Sequence, residues 1–285
     1  MNLFKFPIPN FNDKSKSTIF WRHMRFYSRK FLYYPQVKFL EKTLNMKGNE
    51  HLKNFFSNRP DACYNVTRRF CDKSFSANER VKTLIYDVNK GLESFKFLPQ
   101  DQIIFKFDED FELYLGKQSS CIRRGFLGTF FKISKRTIEQ CCFCFTLDNK
   151  LLISCIQGYQ YSDFNVLDIN KIFTKKCYGL RPIALLIECI KMLCVSLKLD
   201  ATLGVHEKNQ IRSQKGEDKG YFVDYQKIWL ENGGKLIKIN NHLYYELSHK
   251  RKNLEEIPSS KRSMYKKRFA MLEEIKQALD QSLFI

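Results

Sequence analysis

No stretch of this sequence is apolar for long enough to cross a bilayer, which takes about 20 residues as a helix. The best run, from Ile183 to Leu197, is short and carries Glu188 and Lys191, so it reads as a buried helix with one polar stripe. The opening residues, Met1-Asn2-Leu3-Phe4-Lys5-Phe6-Pro7, lack the long apolar run and small-residue cleavage site of a secretory signal. A cytoplasmic chain with reduced thiols is therefore expected. There is no internal repeat and no low-complexity tract. No Ser-His-Asp spacing, Walker loop or paired catalytic carboxylate is visible. No helix-turn-helix, zinc finger or RNA-binding motif appears either, which makes nucleic acid a poor candidate partner. Acidic residues are also scarce: 30 Asp+Glu stand against 49 Lys+Arg, a formal net charge of +19.

What is present narrows the choices. A positive excess of that size attracts polyanions such as anionic lipid head groups, acidic glycans or nucleic acid. Aromatics reach 15%, with 26 Phe. Most of the ten cysteines sit in apolar runs such as Cys141-Cys142-Phe143-Cys144-Phe145, where thiols behave as small hydrophobes. Cys141 and Cys144 have CxxC spacing, but no second CxxC or close His pair completes a zinc site, so no metal is expected.

Three regions differ in character. Residues 1–48 form a basic aromatic arm. Within it Phe20, Met24, Tyr27 and Phe31 fall on one helical face, with Arg22, Arg25 and Arg29 opposite and Trp21 and Phe26 flanking. Such a helix suits an anionic membrane surface; it equally suits a helix docked on the core with its arginines solvated. Residues 49–100 read as a helical region packed on the core, with Ser76-Ala77-Asn78-Glu79 as a capping box. Residues 101–285 read as a mixed α/β core. Strand alternation runs through Phe105–Phe107, Phe111–Leu115, Phe126–Ile133, Gln140–Thr146 and Leu151–Ile156, with a turn at 147–150. A short helix around Leu167–Lys175 and a longer one from Pro182 to Leu197 follow, then a strand at Ala201–Val205 and a helix at Asp224–Glu231. A hairpin turning on Asn240-Asn241 and a basic helix from Ser259 to Leu283 close the chain. The fold class is α/β (α+β): a mixed, mainly antiparallel sheet with flanking helices.

Several segments, in order, resemble the VirK/YbjX family: Arg69-Phe70, Asn78-Glu79-Arg80-Val81, Ile156-Gln157-Gly158, Gly179-Leu180-Arg181-Pro182, Leu203-Gly204-Val205 with Asn209 after it, Tyr221-Phe222-Val223-Asp224-Tyr225, Trp229, Gly233-Gly234, and Lys261 to Phe269. The resemblance covers roughly residues 55 to 280. It implies a Gram-negative bacterium and a link to virulence, cell-envelope maintenance and resistance to cationic peptides, with no established reaction. Two positions depart from the family's pattern: Gln210 stands where relatives tend to carry His, and Gln226 where they tend to carry an acid.

The element order from residue 105 is similar to the GCN5-related N-acetyltransferase fold, in which a helix N-terminus beside the fourth strand holds the acyl-CoA pyrophosphate. Gly179-Leu180-Arg181-Pro182 opens the long helix at a comparable place, although the glycine-rich loop of those enzymes is absent. On this comparison acyl-CoA is the expected cofactor, with Gln157, Gly179 and Arg181 binding it. His206 or Glu207 is the expected base and Tyr225 the acid for a leaving thiolate. Asn209, Asp224 and Trp229 would hold the substrate, an envelope precursor. The plainer alternatives stay open: His206 at the surface, Asp224 as a helix N-cap, Tyr225 and Trp229 as packing, Arg181 in an ion pair. Arg262 and Lys266 line up on the last helix and, with the arm, suggest an anion surface at the inner membrane. A non-enzymatic module that binds anionic lipid or lipopolysaccharide is the competing reading.

Overall fold

The computed structural model describes residues 3–11, 15–96, 98, 100–117, 125–133, 135–159, 161–163, 165–211 and 223–284. Tyr221 and Phe222, named in the resemblance, lie outside them. The chain begins with α1 (Lys16–Leu32), α2 (Tyr34–Leu44), α3 (Glu50–Asn58) and the short α4 (Pro60–Cys63), then α5 (Ala77–Ser94). α5 starts where the sequence places it. The Ser76 hydroxyl accepts from the Glu79 N–H while the Glu79 carboxylate accepts from the Ser76 N–H, so two otherwise orphaned donors are satisfied at once.

The arm departs from expectation in which side it buries. α1 inserts Phe26, which sits between Phe6 and Tyr64 with ring centroids 6.3 and 6.0 Å away. Phe4 and Phe6 are held under the helix because their N–H groups donate to Asn45 Oδ1 and Glu41 Oε1 on α2. That packing occupies the side of α1 next to the arginines. The more prominent stripe, Phe20, Met24, Tyr27 and Phe31, is left outside with Trp21 and Leu32; Phe31 is 85% exposed.

The remaining elements are β1 (Gln102–Lys106), β2 (Phe111–Lys117), β3 (Leu127–Ile133), β4 (Arg136–Phe145), β5 (Lys150–Gly158), α6 (Val166–Lys176), α7 (Pro182–Ser196), β6 (Ala201–Val205), α8 (Tyr225–Glu231), β7 (Gly234–Ile239), β8 (His242–Leu247) and α9 (Ser259–Gln281). The strands form one sheet in the order β1-β2-β3-β4-β5-β6-β8-β7. Neighbours are antiparallel except β5 and β6, whose parallel pairing needs the crossover that α6 and α7 supply. The β7–β8 hairpin turns on Asn240 and Asn241, at φ 47° and 66°. Asparagine tolerates that left-handed conformation, and it matches the twist of the flanking strands.

The central strands explain the sequence's cysteine and phenylalanine runs. β4 and β5 are buried on both faces, so their residues read as continuous apolar runs rather than alternating ones. All nine described cysteines are free and buried. α7 packs against β3, β4, β5 and β6 and beside α9, and one apolar core runs without a break from Phe4 to Leu283.

The parallel pair is short. β5 and β6 share four residue pairs, from Lys150↔Ala201 to Ile153↔Gly204. β5 then continues to Gly158 without β6 beside it. The hydroxyl of Tyr225, at the start of α8, fills part of the gap: it accepts from the Ile156 N–H at 2.9 Å and donates to the Ile156 carbonyl at 3.3 Å.

Candidate functional site

Among the described residues a large concavity lies where the sequence places the start of the long helix. A cavity of about 850 Å³ is bounded by α6, the 178–181 turn, the first turn of α7, α8 and Met264 of α9. Its lining is mainly apolar: Leu167, Tyr178, Pro182, Ile183, Ala184, Ile228 and Met264. Lys171, Lys175 and Arg181 stand exposed at its mouth, opposed there by one exposed carboxylate, Glu231.

The turn that shapes the cavity is built by backbone geometry. α6 ends with Tyr178 and Gly179 both left-handed, at φ 51° and 79°, and the Gly179 N–H bonds back to the Thr174 carbonyl at 2.8 Å. This is the usual device for closing a helix C-terminus. A side chain on Gly179 would also meet the Arg268 guanidinium at 2.9 Å. Arg268 itself donates through Nε and Nη2 to the Tyr178 carbonyl, at 3.0 and 2.6 Å, and fastens the turn to α9. Gly179 therefore shapes the site with its backbone already bonded. Arg181 is the N-cap of α7 and its side chain caps nothing. Among the described residues no carbonyl of the preceding turn takes up the N–H groups of Ile183 and Ala184. Two unsatisfied N–H groups, the positive end of a 15-residue helix and three exposed cations, of which Lys171 pairs with Asp168, give this mouth the chemistry of an anion site.

The interior of the same cavity holds a group that sequence reasoning missed. Glu139 of β4 is 6% exposed. Its Oε1 accepts from Asn170 Nδ2 of α6 at 3.0 Å, while its Oε2 and the Asn170 Oδ1 are buried with no hydrogen-bond partner. Burial pushes the Glu139 carboxyl up to about 7, against the single Asn170 bond that favours the charged form. A signal for it existed: β4 is an apolar strand buried on both sides, so the lone acid within it has no solvent face to turn to.

The other residues singled out by sequence do not gather here. Gln157 lies across from Gln140, whose amide donates to it at 3.4 Å, on the opposite side of β4–β5 from Glu139. His206, Glu207 and Asn209 cluster at the end of β6. His206 is buried, not at the surface; its ring stacks on Tyr245, Nδ1 accepts from the Lys208 N–H at 3.2 Å, and Nε2 lies 3.2 Å from Glu207 Oε1. Asn209 donates to the Leu243 carbonyl. Gln210 is buried beside them, and Gln226 is exposed on α8. Asp224 caps α8 through the Lys227 N–H at 2.9 Å. Trp229 is fully buried over Gly204 and donates from Nε1 to the Val205 carbonyl at 2.9 Å. With Tyr225 it anchors the inner side of α8 to the sheet, while Ile228 on the same helix faces the cavity. Tyr225 and Trp229 thus hold the helix that walls the site, and the others lie away from it.

The anion surface drawn from the two basic helices also divides. Arg262 is occupied by the Ile257 and Glu255 carbonyls, which tie the loop before α9 to that helix. Lys266 is exposed. Arg22 lies over the Phe11 ring, and Arg25 is open to solvent. Arg29 is half-buried.

Comparison with known proteins places the chain. The model of a family described as "Protein of unknown function (DUF535)" matches residues 15–281. A Haemophilus influenzae protein named only "Uncharacterized protein" is 31% identical over 277 residues, covering 92% of this chain and 89% of its own. "Membrane protein LapB" of Mannheimia haemolytica is 30% identical over 229 residues, 74% of this chain and 96% of its own. "Uncharacterized protein YbjX" of Escherichia coli is 31% identical over 105 residues, 36% of this chain and 32% of its own. No solved structure gives a significant match.

Proposed function

Taking as premise that the chain belongs to the DUF535, or VirK/YbjX, family, we propose that it is an acyltransferase-like enzyme that takes acyl-CoA at the mouth of the α6–α7–α8 cavity and acts on a cell-envelope precursor. The observation that carries this reading is the uncapped start of α7, with Arg181, Lys171 and Lys175 around it, opening onto a mainly apolar cavity. A phosphate-bearing molecule with an apolar arm complements both parts. The strand order supports it: antiparallel strands, a crossover into the one parallel pair, a helix and a final hairpin are similar in sequence to the GCN5-related N-acetyltransferase arrangement. The residues at the mouth fit the phosphates of that cofactor, and when bound it would supply an activated acyl carbonyl. The envelope as destination, and a role in virulence, come from the family resemblance.

Acyl-CoA is expected to raise the thermal midpoint of the full chain, by the stabilisation that any ligand selective for the folded state confers, about 2.7 kcal/mol at a hundred times its Kd. Arg181→Ala should weaken that binding about ten- to a hundredfold, the worth of one charge-assisted bond. An unchanged midpoint with acyl-CoA, together with undiminished cellular function of Arg181→Ala, would remove the enzyme.

One observation favours a second reading, a docking module for anionic lipid at the inner membrane surface. The aromatic stripe of α1 is exposed, with Arg22 and Arg25 on the flank of the same helix. Aromatic rings seat at the headgroup boundary while basic residues meet anionic lipid. The name of the Mannheimia relative, a membrane protein, agrees with it. Flotation with anionic but not neutral vesicles, reduced by salt and by Trp21→Ala with Phe31→Ala, supports docking. Equal flotation of the double variant removes α1 as the anchor.

A further inference from the structure

The mouth of the cavity accounts for an anion, but its interior does not. With Glu139 ionised, two buried acceptor oxygens, Glu139 Oε2 and Asn170 Oδ1, have no donor, and their residues line one space with each other and with Ile183, Ala184 and Ile228. Buried acceptors without partners are rare in native proteins, and one that lines a cavity points to a missing guest. We propose that Glu139 and Asn170 form the seat of a primary amine, carried on a molecule that enters the cavity beside the anion-binding mouth. This names the acceptor class for the acyl-transfer reading and rests on that reading only for what happens to the amine afterwards.

The chemistry of the pair selects among guests. A carbonyl or carboxylate would add a further acceptor to a place that already lacks donors. A hydroxyl brings one donor, enough for one of the two oxygens. A primary amine or ammonium brings two or three and satisfies both. A divalent cation needs about six oxygen ligands, and among the described residues no group of acids, histidines or cysteines stands ready to hold one. The two oxygens are closed to solvent in this state. Reaching them takes a turn of the Glu139 carboxylate about its terminal torsion, which is broad and soft. The cations at the mouth, Lys171, Lys175 and Arg181, lie on the exposed side, so an amine is drawn to the interior carboxylate and an anionic group to the rim.

Hexylamine, hexanol and hexyltrimethylammonium serve as probes of the full chain by titration calorimetry at pH 8, where Glu139 is ionised, and at fixed salt. Hexylamine is expected to bind at least tenfold more tightly than hexyltrimethylammonium, which has the charge but no N–H. Glu139→Gln should lower hexylamine affinity at least tenfold and hexyltrimethylammonium affinity less, because the latter loses only the charge attraction. Asn170→Ala should also weaken hexylamine, and it decides the matter if Glu139→Gln does not fold. Equal binding of the two ammonium probes, or undiminished hexylamine binding in whichever variants fold, overturns the amine seat. Acyl-CoA binding, measured on the same proteins, separates the two ideas. Amine selectivity without acyl-CoA binding removes the acyl-transfer reading alone, and acyl-CoA binding without amine selectivity removes the seat alone.

Discussion

Replacing Glu139 with Gln should make the protein more stable in alkali and leave it nearly unchanged in acid. The carboxyl sits near its ordinary 4.5 in the unfolded chain and is pushed to about 7 by burial in the fold. The folded state therefore holds the proton more tightly. Below pH 4.5 the group is neutral in both states and adds no penalty. As pH rises from 4.5 towards 7 the unfolded chain ionises first, and stability falls. Above 7 both states are charged and the loss is complete. Each pH unit of that interval is worth 1.36 kcal/mol, so the full penalty is about 3 kcal/mol. Gln keeps the shape and the bond from Asn170 but cannot ionise. The gap between variant and wild type should open from near zero at pH 4.5 to about 3 kcal/mol at pH 8, read by urea unfolding at several pH values. Asp87 is buried too, pushed up to about 7 while accepting the Phe145 N–H, but it contributes equally to both proteins and cancels in the difference. A gap that does not vary with pH, or a variant less stable at pH 8, would refute the reasoning, because it would mean the carboxylate is charged and well paired.

Two predictions concern how α8 is held. A methyl group on Gly204 would lie 2.6 Å from two carbons of the Trp229 ring, so Gly204→Ala should cost about 1–3 kcal/mol in unfolding free energy as an overpacked site; an unchanged urea midpoint would argue against this packing. Tyr225→Phe removes the donor and acceptor that serve Ile156. It should cost about 1–3 kcal/mol and speed amide exchange at Ile156, the mark of an unsatisfied buried N–H; unaltered exchange there would show the phenol to be dispensable.

Much of the architecture is legible in the sequence because local chemistry and tertiary packing agree. The Ser76 capping box starts α5. Asn240-Asn241 turns the last hairpin. Pro182 opens α7, where its missing N–H costs nothing. The arm was harder to read because two faces of α1 compete. Periodicity favours the Phe20–Phe31 stripe, but Phe4 and Phe6, distant from it in sequence, are seated by Asn45 and Glu41 and offer their rings to Phe26 instead. Of the site, Gly179 and Arg181 were legible from the helix start. His206, Tyr225 and Trp229 were found as conspicuous residues, yet His206 stacks on Tyr245 at the end of β6, while Tyr225 and Trp229 fasten α8 to the sheet. Glu139 escaped because a single acid in a strand carries no motif; its meaning comes from α6, which lies across it some thirty residues later.

The parallel pair β5–β6 shares four residue pairs, as do β6 and β8. The flanking pairs β4–β5 and β8–β7 are laced antiparallel along most of their length. β5 and β6 are also joined through α7, which packs on both, and through the Tyr225 phenol. α8 bonds to both strands, through Tyr225 to Ile156 and through Trp229 to Val205, and also walls the cavity with Ile228, so a guest that presses on Ile228 presses on the helix that ties β5 to β6.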